Sequence, residues 1–218
     1  MCPPRSRLRL LICAGVLVVP SRATAQGPPP PIPHFVVDVR GTMPRFGSDP
    51  QLAGSRGLSE SDLPGGGFGV DADANVYLLR WKVLAIGFGG QLALGRSRQS
   101  VQAVEGQAPR GAVTERFTSI APELSFNFGS GDGWSYISGG MGTSTWSIVQ
   151  EGSDPLPADT ERLRTINYGG GARWFLNPHV AFHFDARFYQ IDPGLPAFGY
   201  PGSPRTTLLI VGAGVALK

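Results

Sequence analysis

Between His179 and Gln190 the sequence reads HVAFHFDARFYQ, and counted in twos it separates into two chemistries. Val180, Phe182, Phe184, Ala186 and Phe188 fall on one side, and Ala181, His183, Asp185, Arg187 and Tyr189 on the other. An extended strand points successive side chains to opposite faces, so this segment is a strand with one apolar and one polar face. Two architectures accept such a strand. A soluble sandwich buries the phenylalanines and wets the charges, whereas a membrane-spanning barrel turns the phenylalanines to lipid and packs the charges into its lumen.

Seven further segments alternate in the same way. The eight lie near 34–43, 67–79, 83–96, 113–128, 134–148, 164–176, 180–190 and 205–217, each long enough for the roughly nine to eleven residues that a tilted strand needs to cross a bilayer. Three connections are short and carry turn chemistry: Arg80-Trp81-Lys82, Gly129 to Gly133, and Asn177-Pro178-His179. The other four, 44–66, 97–112, 149–163 and 191–204, are long and rich in Gly, Pro, Ser and charge. Long and short alternate strictly, the pattern of up-and-down hairpins with one confined end and one free end. The expected fold is therefore all-β, an eight-stranded antiparallel up-and-down transmembrane β-barrel over residues 34–218.

The tryptophans bear on which face meets lipid, because aromatic rings gather where hydrocarbon meets water. Trp81, Trp134 and Trp174 lie in or near short turns, and Trp146 lies beside a long loop. They are expected to form an interfacial girdle, with Phe46, Phe117 and Tyr189 as additions. The one strand whose faces stay open is 134–148, where Ile137, Gly139 and Met141 compete with Trp134, Tyr136 and Trp146 for the outward side.

Residues 1–25 have the three parts of a secretory signal: Arg5, Arg7 and Arg9, an apolar run from Leu10 to Val19, and a small-residue cleavage site at Ala23-Thr24-Ala25. Cleavage between Ala25 and Gln26 removes four arginines and no acid, so the net charge falls from +3 to −1. The basic balance thus belongs to the export tag and gives no support to nucleic-acid binding. Both cysteines, Cys2 and Cys13, leave with it, and pairing and burial must hold the mature chain without disulfides. Residues 26–33, dominated by GPPPPIP, read as a polyproline spacer. No later run of about eighteen apolar residues offers a transmembrane helix.

If the polar faces converge, the lumen holds Asp38, Arg40, Asp71, Asp73, Glu123, Arg173, His183, Asp185 and Arg187. An eight-stranded barrel is only wide enough for side chains to fill, so this set forms an ion-pair plug and not a channel. His183 and Asp185 share a face at a spacing that would also suit a base and its orienting acid. Their mid-strand position beside Arg187 favours the ion-pair use. The glycines of Val211 to Leu217 lack the third glycine and the following helix of a dinucleotide loop. Three scattered histidines give no metal cluster, and no cofactor is implied.

With these features the chain resembles the small bacterial outer-membrane β-barrel proteins, the OmpA-like and opacity-type eight-stranded class. The likeness spans residues 34–218 and is carried by Thr118 to Gly129, by WSYISGG from Trp134 to Gly140, and by His179 to Gln190. It implies a bacterial outer-membrane address, a surroundings of outer-membrane lipid and lipopolysaccharide, passage through the barrel-assembly machinery, and a structural or surface-interaction role without enzymatic activity. The extracellular partner is left open. The chain departs from that class at its end, Ala216-Leu217-Lys218, where an aromatic residue is usual. Two other functions fit the residues: a barrel enzyme acting on lipid or lipopolysaccharide through His183 and Asp185, and a soluble secreted β-sandwich that binds a ligand.

Overall fold

The computed structural model describes residues 30–81, 83–101 and 110–218; the signal segment and its cleavage site at Ala25 and Gln26 lie outside them. Among the described residues eight strands form: β1 (Phe35–Arg45), β2 (Phe68–Trp81), β3 (Leu84–Gln99), β4 (Val113–Ser130), β5 (Gly133–Gln150), β6 (Leu163–Phe175), β7 (Val180–Ile191) and β8 (Thr206–Leu217). Their ends fall within three residues of the expected ones. Each pairs antiparallel with the next, and β8 returns to β1, from Val37 opposite Leu217 to Arg45 opposite Leu209. The closed barrel expected from the alternation is therefore present.

Closure matters because a backbone polar group left unpaired in hydrocarbon costs several kcal/mol, and a closed ladder has no edge. The outward faces are apolar. Phe182, Phe184 and Phe188 of β7 are 41–46% exposed, and Val37, Val39, Leu92, Ile120, Leu124 and Val215 are similarly open. Charged and polar partners on the same strands lie inside, with His183 at 0% and Arg187 at 1%. No described helix is long and apolar enough to cross a membrane, so any crossing is made by strands.

The undecided β5 resolves with Ile137 and Met141 outward and Trp134, Tyr136 and Trp146 inward. Two members of the expected girdle are thereby corrected. Trp134 and Trp146 are 3% and 1% exposed, and only Trp81 and Trp174 face outward, both at the short-turn end. Phe46, Phe117 and Tyr189 are also internal. Turned inward, these rings fill the two ends of the lumen. Trp134 stacks on Phe175 at 5.1 Å and meets Tyr77 edge-on, and Trp146 donates its indole N–H to Glu115 at 2.7 Å.

The spacer reading also changes for residues 30–33. Ile32 is 2% exposed and packs at the short-turn end with Val36, Tyr77, Ala85, Trp134, Ala181 and Ala216. The Pro30 carbonyl accepts from the Gly131 amide at 2.6 Å, and the Ile32 carbonyl accepts from Arg80 at 3.1 Å. A polyproline stretch cannot join the ladder, yet its one aliphatic side chain can stopper the lumen.

At the opposite end the first long connection folds inward. Its helix α1 (Pro50–Ser55) is capped by Asp49, whose carboxylate accepts from the Gln51 amide at 2.7 Å. Leu52, Ala53 and Leu63 then pack over Phe117, Trp146, Tyr189 and Leu208. The lumen is thus layered, with an apolar stopper at each end and charge between.

Candidate functional site

The central layer of the lumen is one connected network built from alternate residues of seven strands. Arg173 grips Asp38 with two parallel bonds, Nε to Oδ1 at 2.9 Å and Nη2 to Oδ2 at 2.7 Å, the bidentate geometry a guanidinium favours. Arg40 reaches Asp71 and Asp73, each at 2.7 Å. Arg187 pairs with Glu123, donates to Asn167 at 2.9 Å and Ser138 at 2.7 Å, and lies 3.4 Å from Asp185. The structure thus brings together all nine residues placed on the polar faces.

His183 joins the halves differently from the arrangement its sequence spacing suggests. Its Nδ1 lies 2.6 Å from Asp38, and its Nε2 lies 2.7 Å from the Tyr136 hydroxyl, which donates to Asp185 at 2.5 Å. His183 and Asp185 are therefore bridged by Tyr136. The Arg173 guanidinium lies over the Tyr136 ring at 4.3 Å. Beyond those nine, Asn167 and Ser138 join through Arg187. Tyr136 joins from the undecided strand and Gln91 donates to Asp71 at 2.5 Å, whereas the buried Glu115, of the same inward parity as Glu123, stands apart and accepts from Trp146.

The Gly169-Gly170-Gly171 run of β6 makes room for these side chains. A Cβ on Gly171 would collide with the Phe184 carbonyl oxygen and stand 2.8 Å from the Tyr136 hydroxyl. Gly171→Val is expected to destabilise the barrel by about 1–3 kcal/mol, measured by urea unfolding in detergent. A variant as stable as the parent would show that Tyr136 is not seated by this glycine.

Chemically the network can hold charge and pass a proton along Asp38–His183–Tyr136–Asp185. Catalysis would require a substrate within hydrogen-bond reach of the base. All four groups are at most 5% exposed and their neighbours fill the surrounding space.

A second buried ion pair lies in the long connections, where no periodicity could have revealed it. Arg56 donates Nε to Asp159 at 3.0 Å and Nη2 to Ser203 at 2.8 Å, and Asp159 accepts from the Ile148 and Leu156 amides at 2.9 and 2.8 Å. One guanidinium therefore ties the first, third and fourth long connections to β5. Gln99 adds a bond to the Ser61 carbonyl at 2.6 Å.

No protein-family model matches the sequence, and no curated protein matches it. Solved structures do. Neisserial surface protein A superposes with a TM-score of 0.55 over 85% of this chain and 97% of that one, at 14% identity. Ail, the attachment invasion locus protein of Yersinia pestis, in complex with the heparin analogue sucrose octasulfate, gives 0.51 over 84% and 97%, at 12% identity. At such identities the likeness is one of fold, and it agrees with the belt, the turn asymmetry and the filled lumen. The chain has the fold of the eight-stranded outer-membrane β-barrels.

Proposed function

We propose that this protein is a non-enzymatic outer-membrane barrel whose strands serve as a rigid, non-conducting mount for a packed platform of surface loops. The observation that carries this reading is the Arg56–Asp159–Ser203 node, which binds three long connections into one body above a lumen stoppered at both ends. Disordered loops would need no such buried ion pair. A pore would need an open lumen, and an enzyme of this network would need a path to His183.

Fractionation followed by electrophoresis with and without boiling tests the mount. The expected result is a membrane-fraction protein whose unboiled form migrates differently from the boiled one and which gives no steady conductance in planar bilayers. A soluble protein indifferent to heating would overturn the membrane reading, and stable single-channel steps would overturn the plug. The lipid-modifying alternative predicts that His183→Ala abolishes an activity towards lipid. The mount predicts no such activity in either form.

A further inference from the structure

Arg96 of β3 and Arg116 of β4 are direct cross-strand partners on the outward face, and both are exposed. Like charges placed opposite each other on an antiparallel pair destabilise it. Neither has a carboxylate partner among the described residues. Arg98, two residues along the same face, pairs with Glu151 at 2.8 Å, where both side chains are more than half exposed. The outward faces of the eight strands carry no Asp or Glu, and at the long-loop end their charges are all arginine, with Arg45 and Arg164 completing the set.

The wall above and below this pair is shaped. Above it, a groove of about 320 Å³ is lined by Arg98, Arg116, Ser147 and Glu151 together with the apolar Val149 and Pro155. Below it, an apolar groove of about 430 Å³ runs between Phe68, Val70, Leu94 and Thr118, with Arg96 and Arg116 at its rim. The next rows down are Ala72 beside Leu92, then Ala74 beside Gly90 and Pro122, and these small residues open a further groove of about 540 Å³. Along β3 the distance from Arg96 to Gly90 is roughly 20 Å.

A sugar-sized mixed groove, paired guanidiniums and two apolar grooves follow one another down β3 and β4. Guanidiniums match phosphate in geometry and charge. A free anion would use none of these grooves, and a glycerophospholipid would leave the upper one unfilled. We propose that Arg96 and Arg116, assisted by Arg98, bind the phosphate of an acylated, phosphorylated sugar lipid in the leaflet at the long-loop end. One acyl chain then lies along the two apolar grooves, the lower of which is lined by Gly90. This inference rests on the membrane reading above.

The test uses the full chain folded in detergent and titrated with mixed micelles of bis-phosphorylated lipid A, of the same glycolipid without phosphates, or of phosphatidylglycerol. Arg96→Gln with Arg116→Gln is expected to weaken lipid A binding at least about tenfold, and removing the phosphates should cost the parent a similar factor. Gly90→Phe leaves the arginines intact and fills the lower groove; a Cβ there is only 3.7 Å from the Ala121 carbonyl oxygen, an ordinary contact. It should weaken binding severalfold while heat-dependent mobility is kept. Unchanged affinity in the double arginine variant, or parent binding to phosphatidylglycerol as tight as to lipid A, would overturn the site. If the variants stay detergent-dependent and heat-modifiable, only the lipid site has failed; a chain soluble without detergent would sink the membrane reading itself.

Discussion

Arg173→Ala is expected to lower the unfolding free energy of the barrel by about 3–5 kcal/mol, the usual consequence of removing one partner from a buried ion pair. The residue left behind is Asp38, fully buried and keeping only the His183 imidazole as a partner at 2.6 Å, while Asp73 loses a guanidinium at 3.7 Å. Urea titration in detergent micelles measures the change. Fluorescence is a suitable probe, since Trp134 lies 5.7 Å from the Arg173 guanidinium. Adding Asp38→Asn should recover much of the loss, because the cost lies in the stranded carboxylate more than in the lost bond. A loss below about 1 kcal/mol would mean that the charges of this layer compensate one another without Arg173.

Arg56→Ala should act elsewhere. Asp159 would lose its guanidinium and Ser203 its donor, and three connections would come apart while the barrel wall stayed paired. The free energy that keeps the loops closed is expected to fall by about 3 kcal/mol, which raises the open population, and with it the rate of limited proteolysis, by on the order of a hundredfold. Cleavage should map to the first, third and fourth long connections. The unboiled band of uncut protein should keep its mobility. A proteolysis pattern like that of the parent would show that packing of Leu52, Ala53 and Leu63 holds the platform without the ion pair.

These two arginines also mark where sequence reasoning reached and where it stopped. Arg173 was legible because a period of two is a strong signal over a dozen residues, and a one-residue slip would have put Ile166, Tyr168 and Trp174 inside. The same periodicity marked the strand ends and set Arg173 and eight other titratable residues on the inward faces. It faltered on β5, where Gly139, Gly140, Ser138 and Ser144 blur both faces. The direction of Trp134 and Trp146 there depends on Tyr77, Phe175 and Glu115, partners on other strands that no local pattern reveals. Arg56 and Asp159 sit in connections with no period, and Ile32 lies among prolines, so their burial follows only from the assembled ends of the barrel.

The seam between β1 and β8 has a consequence for how the chain is made. Val37 finds its partner in Leu217, so one of the first strands to be synthesised waits for the last. Until then every partial sheet has two open edges and an oily outer surface, the conditions under which chains stick to one another. Contacts of such sequence separation form slowly. The wall can therefore close only after β8 has been made.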